Sequence, residues 1–136
     1  ARRIAVVSNP SLAAHLPGFE IVAIPPGGQA DSLRAGLAAA GSPERLLVAL
    51  GDMPDVTPAH LARVIAAATD AAPAASHDGT AALPPACFPR RLLAALAALE
   101  GDRGAGSLLR DLPPAQLIAA PRLLRDIDRP EDLARR

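Results

Sequence analysis

Two aspartates beside an apolar run have the spacing from which metal-assisted chemistry could follow. Residues 46–50 are apolar without interruption, Gly51 follows, and Asp52 and Asp55 flank Pro54. A short run without polar alternation predicts a strand buried on both faces, which Pro54 prevents from continuing. Ligands of open α/β sheets bind at the carboxyl ends of strands, where a carboxylate commonly binds Mg²⁺ together with water and phosphate oxygens. Asp52 is therefore either a magnesium ligand or a turn residue that bonds its own backbone.

A second aspartate, Asp128, has a similar setting near the end of the sequence. It follows an apolar position and lies shortly before Pro130, at the start of a predicted helix. Two carboxylates from separate strand ends could share one Mg²⁺ that also binds a nucleoside triphosphate. The alternative is that Asp128 caps the helix. We interpret three further acidic residues nearby as solvated: Asp126, Glu131 and Asp132.

Two glycine-rich segments could bind phosphate. Residues 27–34 place two glycines, Ser32 and Arg34 at a predicted helix start, which would offer backbone N–H groups to an anion or a nucleotide. Their spacing matches neither the Walker A pattern nor the dinucleotide pattern. Residues 101–110 contain three glycines and two arginines, and they fit either a substrate loop that binds phosphate or a plain connection. His60, in a predicted first helical turn, is interpreted as a surface residue.

Apolar runs and turn signals predict the elements that position these residues. The sequence predicts a helix after Asp31 as its N-cap, and another after Thr57, with Leu61, Val64, Ile65 and Ala68 as its buried face. Further helices are expected within residues 87–99 and from Pro130, and strands at Ile4–Val7 and residues 19–24, 45–56, 72–76 and 116–120. This alternation predicts a layered α/β domain with a mostly parallel sheet. We expect residues 1–136 to form a single domain.

The composition excludes several classes of partner. The 14 basic residues balance the 14 acidic ones, so no electrostatic footprint for nucleic acid or an anionic membrane is present. An aromatic content of 1% argues against platforms for base stacking. The single cysteine, Cys87, fits a reducing compartment, and no apolar run is long enough to span a membrane. We expect a cytoplasmic protein that binds neither nucleic acid nor membranes.

Four stretches, taken together and in this order, resemble the molybdenum-cofactor nucleotidyltransferases, which include the molybdopterin cytidylyl- and guanylyltransferases. They are GGQADSLRAGL (27–37), LLVALGDMPDV (46–56), GDRGAGSLL (101–109) and DIDRPEDL (126–133). DGTAALPPACFPR (78–90) is a looser fifth match. The resemblance implies a three-layer α/β/α, Rossmann-like fold of the nucleotide-sugar-transferase type.

The resemblance also implies a reaction, a metal and a set of site residues. The reaction is transfer of a CMP or GMP group from CTP or GTP to a phosphorylated acceptor such as molybdopterin, with release of pyrophosphate. Asp52 and Asp128 would be catalytic and hold Mg²⁺. The nucleotide would contact Gly28, Ser32, Gly51 and Asp52, and the acceptor would contact Asp102, Arg103 and Gly104. Two alternatives stay open: a sugar phosphate or phospholactate acceptor on the same scaffold, or a catalytically inactive binding or assembly module.

The sequence differs from the family at two places. The family's first strand, its glycine-rich LAAGxSxRxG loop and the helix that follows have no counterpart in these residues. We therefore expect a sheet without its central strand, between Ile4–Val7 and residues 46–50, and no nucleotidyl transfer by residues 1–136 alone. Arg129 stands where the family usually has threonine, which puts a cation beside Asp128.

Overall fold

Strands and helices alternate along the chain, as the apolar runs predict. The computed structural model describes residues 1–135. Its strands are β1 (Ile4–Val7), β2 (Glu20–Ala23), β3 (Arg45–Val48), β4 (Ala74–His77), β5 (Ala82–Pro89) and β6 (Leu117–Ala119). Its α-helices are α1 (Gln29–Ala40), α2 (Pro58–Ala67) and α3 (Leu93–Ala97). Short 3-10 turns cover Pro10–His15, Arg90–Leu92, Ala105–Leu108, Pro114–Gln116 and Pro130–Arg135.

The strands form two sheets. β1 and β2 pair in parallel, and the other four strands form a sheet in the order β3-β5-β4-β6. In that sheet β4 and β6 are parallel, whereas β5 runs antiparallel to both β3 and β4. Within residues 1–135, no strand pairs with β1 on the side away from β2 or with β3 on the side away from β5. α1 packs against β1, β2 and α3, and so it connects the two sheets.

The reversed strand β5 is the element that the sequence did not predict. Its two adjacent prolines, Pro84 and Pro85, argue against a central strand because proline donates no ladder hydrogen bond. The structure accommodates both prolines where the register between β4 and β5 shifts, because Ala75 pairs with Ala86 and Ser76 pairs with Leu83. The helix predicted within residues 87–99, with its start at Pro89 or Arg90, begins directly after β5 as the 3-10 turn Arg90–Leu92 and continues as α3.

Helices cover both faces of the four-stranded sheet, so the predicted three-layer α/β/α fold is confirmed. On one face, α1, α3 and the turn at Ala105–Leu108 bury a core around Phe88 and Leu96. On the other face, α2 buries Val64 against Cys87. A third, smaller apolar cluster, formed by Met53, Ala120 and Leu124, packs where β3 and β6 lead into loops. None of the helices in residues 1–135 is long and apolar enough to cross a membrane.

The start of α2 is as predicted, and its buried face is as predicted except at Ile65 and His60. The Thr57 hydroxyl accepts a hydrogen bond from the His60 N–H at 3.2 Å, and a proline occupies the first turn. Val64 and Ala68 are buried, as the spacing predicts, whereas Ile65 is 43% exposed. His60 is only 2% exposed, so its interpretation as a surface residue is wrong. Compared with the prediction, α2 is rotated so that His60 faces the sheet, because its imidazole makes a buried hydrogen bond to the Ser76 hydroxyl on β4.

Candidate active site

Three carboxylates converge beyond the end of β3. Asp52, Asp126 and Asp128 each place one carboxylate oxygen within 4.8 Å of the others. Asp52 is in the turn that follows β3, as predicted, and its carbonyl oxygen accepts a hydrogen bond of 2.7 Å from the Ile127 N–H. This bond holds the backbone of residues 126–128 against the turn. The structure thus brings together Asp52 and Asp128, the pair selected from the sequence.

Of the three carboxylates, Asp52 is the one that is partly removed from solvent. It is half-buried, and its Oδ1 is buried without a hydrogen-bond partner in residues 1–135. Burial raises the pKa of Asp52 above its ordinary value, and the negative charges of Asp126 and Asp128 add to the rise. The backbone N–H of Asp52 itself acts in the opposite direction on this pKa. Asp52 is therefore both a turn residue and a carboxylate with an oxygen left for a ligand.

The residues present fit a hard divalent cation. The three side chains offer only oxygen ligands, which Mg²⁺ prefers, and a cation would satisfy the buried Oδ1 of Asp52. Mg²⁺ usually takes one or two protein carboxylates and fills its remaining positions with water and phosphate oxygens. Three carboxylates exceed that number, so one of them would act through water or on the substrate side. Asp55 lies outside this group of three.

Asp126 is the third carboxylate of the group, and the prediction from sequence was that it is solvated and binds no ligand. It is exposed, but it shares the cluster because residues 125–128 have no helical structure. In an extended segment, residues two positions apart lie on the same side. With Asp128 as a candidate ligand, the pattern Asp-Ile-Asp at residues 126–128 therefore indicates that Asp126 lies on the same side.

The role of helix cap, which was the alternative for Asp128, belongs to Asp132. The Asp132 carboxylate accepts hydrogen bonds of 3.1 Å from the backbone N–H groups of both Asp128 and Arg129. Such reach back from the first turn is the acidic half of a capping box. The carboxylate of Asp128 is exposed and forms part of the acidic cluster instead.

The two glycine-rich segments contact each other. A Cβ on Gly28 would overlap the backbone carbonyl of Gly101, and Asp102 lies beside the same position. A Cβ on Gly104 would overlap the side-chain amide of Gln29 in the first turn of α1. Gly28 therefore has a packing reason that is independent of any ligand, whereas the exposed Gln29 side chain can move away from a Cβ at position 104.

This contact uses backbone N–H groups at the start of α1 that the sequence predicts to be free to bind an anion. Gly28 is the N-cap of α1, and Asp31 lies in the first turn, so the prediction of Asp31 as the cap is wrong. The Gly28 N–H donates to the Asp31 carboxylate at 3.3 Å, and the Ala30 N–H donates to the Gly101 carbonyl at 3.1 Å. Arg34 bonds Asp31 at 2.6 Å and the Leu99 carbonyl at 2.7 Å. The prediction that the start of α1 presents a set of free N–H groups is therefore wrong for these positions.

Packing does not explain the identity of the other residues that were predicted to contact the nucleotide or the acceptor. Ser32 is half-buried in α1, and its hydroxyl has no hydrogen-bond partner in the described part of the chain. Gly51 is exposed, does not adopt a positive φ, and has no neighbour that a Cβ would meet within 4 Å. The turn after β3 therefore does not require glycine for its geometry. Asp102 and Arg103 are exposed.

A cavity of about 430 Å³ adjoins the predicted acceptor segment. Its walls come from the β4–β5 turn with the strand residues at its two ends, and from the 3-10 turn at Ala105–Leu108 with the chain that follows it. They include His77, Thr80, Gly106, Leu109 and Arg110. The size falls in the range of small-molecule sites, which is roughly 300–1,000 Å³. The walls lie slightly beyond the three residues predicted for the acceptor, which are positions 102–104.

The three-layer α/β domain, with acidic side chains gathered beyond the end of a strand, has a Rossmann-like architecture. The family model of the MobA-like NTP transferase domain matches residues 1–117, and the chain belongs to this family of nucleotidyltransferases. No curated protein sequence matches the chain.

Two solved structures share the fold over nearly the whole chain. The crystal structure of Rv0371c from Mycobacterium tuberculosis H37Rv has a TM-score of 0.77 and 27% sequence identity, and covers 97% of this chain and 72% of its own. The structure of its homolog from Mycobacterium sp. strain JC1 has a TM-score of 0.79 and 24% identity, with coverage of 98% and 72%. The family establishes a nucleotidyltransferase domain, whose substrate is a nucleoside triphosphate.

Proposed function

We propose that the protein transfers a CMP or GMP group from CTP or GTP to a phosphorylated acceptor such as molybdopterin, with release of pyrophosphate. The observation that carries the proposal is the convergence of Asp52 and Asp128, with one Asp52 oxygen buried and unpaired in residues 1–135. A cation that binds such a group would neutralise charge on the triphosphate.

The chain's own residues would bind and orient the reactants. Asp52 and Asp128 would hold Mg²⁺, and the exposed carboxylate of Asp126 would hold a water of its coordination shell. An oxygen of the acceptor phosphate would attack the α-phosphorus in line, and the bond from that phosphorus to the pyrophosphate would break. No protein nucleophile is needed for this displacement. The remaining contacts are proposed from the family resemblance: Gly28, Ser32 and Gly51 for the nucleotide, and Asp102, Arg103 and Gly104 for the acceptor.

The cavity beside the predicted acceptor segment suggests how the acceptor would be oriented. Arg110 lines this cavity, and a guanidinium can bind a phosphate through two parallel hydrogen bonds. Because the chain contains no lysine, arginine must provide any such contact. We therefore place the phosphate of the acceptor near Arg110, with the rest of the molecule against Leu109 and Gly106.

The test is an assay of pyrophosphate release from CTP and from GTP, with and without Mg²⁺ and with molybdopterin as the acceptor. It uses a protein that carries the family's first strand and glycine-rich loop ahead of these residues, because residues 1–136 alone are expected to show no transfer. Asp52→Asn keeps the side-chain volume and should lower turnover about a hundredfold or more. Asp70→Asn is the matched control, because Asp70 is 97% exposed and pairs only with Arg45 among the described residues. Turnover that Asp52→Asn leaves unchanged would refute the site.

Parallel assays separate the alternatives. Release of pyrophosphate with a sugar phosphate or with phospholactate, but not with molybdopterin, would retain the nucleotidyl transfer and change the acceptor. Binding of Mg²⁺ without pyrophosphate release from either nucleotide, with any of these acceptors, would favour the inactive binding or assembly module.

A further inference from the structure

A second cavity lies on the α2 face of the four-stranded sheet. It encloses about 480 Å³ between the first turns of α2 and the chain that follows β6. Its walls are mostly apolar, and none of its lining residues is acidic; the lining residues are Ala59, His60, Arg63, Ala119, Ala120, Pro121, Arg122 and Leu123. The carboxylates of the candidate active site are not part of this lining. The cavity therefore forms a separate surface feature.

Two arginines that lack partners line this cavity. Within residues 1–135, neither Arg63 nor Arg122 forms an ion pair or a side-chain hydrogen bond. Other arginines of the chain do, for example Arg2 with Glu20 at 2.7 Å. A guanidinium is suited to phosphate because its donors form a planar fork. Two unpaired guanidiniums around an uncharged wall therefore favour an anion with an apolar body.

His60, which lines the same cavity, carries a buried hydrogen-bond acceptor. Its Nε2 lies 2.7 Å from the Ser76 hydroxyl, which donates its proton to the Pro85 carbonyl, also at 2.7 Å. A carbonyl can only accept, so the single hydroxyl proton is committed and the proton between Ser76 and His60 must be on Nε2. Burial, and next the charge of Arg63, lower the pKa of His60, which keeps the imidazole neutral.

The tautomer leaves the other ring nitrogen as an acceptor. Nδ1 then carries a lone pair, and it is buried without a hydrogen-bond partner in residues 1–135. Buried polar atoms are nearly always paired in native proteins, so an unpaired one beside a cavity indicates a ligand or a water that completes it. The residues that line the cavity thus combine two cationic donors, an apolar wall and one buried acceptor.

We propose that this cavity binds a small organic phosphate that carries a hydroxyl group. Its phosphate would bind between Arg63 and Arg122, its apolar part would pack against Ala120 and Leu123, and its hydroxyl would donate to Nδ1 of His60. The site is separate from the proposed nucleotide and acceptor contacts, so its occupancy does not depend on nucleotidyl transfer.

The test uses 4-hydroxyphenyl phosphate as the probe and measures its binding to the intact protein by calorimetry without Mg²⁺. Two related compounds serve as controls: phenyl phosphate lacks the hydroxyl, and hydroquinone lacks the phosphate. Each loses one of the proposed interactions, a hydrogen bond or an ion pair, and each should therefore bind about tenfold more weakly or worse. Arg63→Gln and Arg122→Gln should each weaken the probe by about tenfold. Both side chains are exposed, and unchanged melting temperatures would show that these variants fold.

Two controls separate this site from general charge and from the active site. Arg90→Gln removes an equal charge from an exposed residue outside the cavity and should leave the affinity unchanged. Asp52→Asn should also bind the probe as the wild type does. Saturable binding that Arg90→Gln weakens equally, or that Asp52→Asn abolishes, would overturn the site, as would no binding at millimolar probe. Equal affinity for phenyl phosphate and 4-hydroxyphenyl phosphate would overturn the role of His60.

Discussion

The substitution Asp52→Asn should stabilise the metal-free protein while removing its response to Mg²⁺. Asp52 is half-buried, with two like charges placing oxygens within 4.8 Å of its own. At that distance, two unit charges repel by roughly 1 kcal/mol with solvent-like screening. This screening applies because Asp126 and Asp128 are exposed. The variant loses both repulsions, but it also loses the favourable interaction of the carboxylate with its own backbone N–H. The net effect is about 1–2 kcal/mol of added stability, which raises the melting temperature by about 3–8 °C.

Magnesium should reverse the order of the two proteins. A cation that binds only the folded state adds about 1.4 kcal/mol at ten times its Kd and about 2.7 kcal/mol at a hundred times. The wild type should gain this stability, whereas Asp52→Asn keeps only the two exposed carboxylates and should gain little. Thermal melts with and without Mg²⁺, together with Asp70→Asn as the control that keeps the cluster, measure both effects. A metal-free variant less stable than the wild type, or an equal Mg²⁺ response, would refute this reasoning.

The same substitution should change the pH dependence of stability without metal. A carboxyl group whose pKa is raised in the folded protein binds more protons folded than unfolded, so the free energy of unfolding decreases as the pH rises past its ordinary value of 3.8. The decrease is complete above the raised pKa. Asp52→Asn should remove this component, so the advantage of the variant should be larger at pH 7 than at pH 3. A constant difference between the two proteins would contradict the raised pKa.

Three further predictions concern the parts of the fold that support the site. Gly28→Ala should lower the unfolding free energy by about 1–3 kcal/mol in denaturant titrations, because its Cβ would overlap the carbonyl of Gly101; Gly51→Ala has open space and should cost less, and equal losses would refute the packing contact. Thr57→Ala should remove the N-cap of α2 and cost about 1 kcal/mol in the same titrations, with no loss if the cap is dispensable. Burial raises the pKa of the Cys87 thiol, so a thiol reagent at neutral pH should label it only after unfolding, and rapid labelling of the native protein would contradict its burial.

The strands and helices that bury one continuous apolar segment could be predicted from the sequence. β1 has the predicted bounds, and β2, β3 and β6 lie within the predicted segments. β4 overlaps its predicted segment, residues 72–76, but extends one residue beyond it to His77. α2 begins where Thr57 and Pro58 indicate. In each of these elements the local pattern and the tertiary environment favour the same structure. β5 differs because its pairing with β4 depends on a register shift around two prolines, which local periodicity does not encode.

The burial of His60 shows how a tertiary hydrogen bond can override an amphipathic pattern. From the sequence, Ile65 is the more hydrophobic candidate for the buried face of α2. The structure buries His60 instead, because the Ser76 hydroxyl on β4 accepts a hydrogen bond from its Nε2–H and donates one to the Pro85 carbonyl. That partner comes from a residue 16 positions away. A helix-by-helix analysis could not identify it.

The approach of Asp52 to Asp128 was predictable from topology, whereas the details of the glycine-rich segments were not. Strand-end logic places both aspartates at one edge of the sheet, and the structure confirms that they meet. The start of α1 instead contacts the backbone of Gly101, a residue far along the chain. Glycine patterns alone do not distinguish a close approach of backbone from a phosphate site, because both require the absence of a side chain.

The carboxylate cluster is held by contacts that do not involve its charges. The Ile127 N–H bonds the Asp52 carbonyl at 2.7 Å. Met53 and Leu124, which adjoin the two acidic segments, pack together with Ala120 in one apolar cluster. These contacts fix the backbone on both sides of the cluster, so the segments that carry the three carboxylates cannot move apart without breaking them. A cation relieves that repulsion with no rearrangement of the backbone, and a site organised before binding needs less ordering when the ligand arrives. The arrangement therefore suits the proposed cation, although the half-buried Asp52 carboxylate carries an unfavourable charge in the metal-free protein.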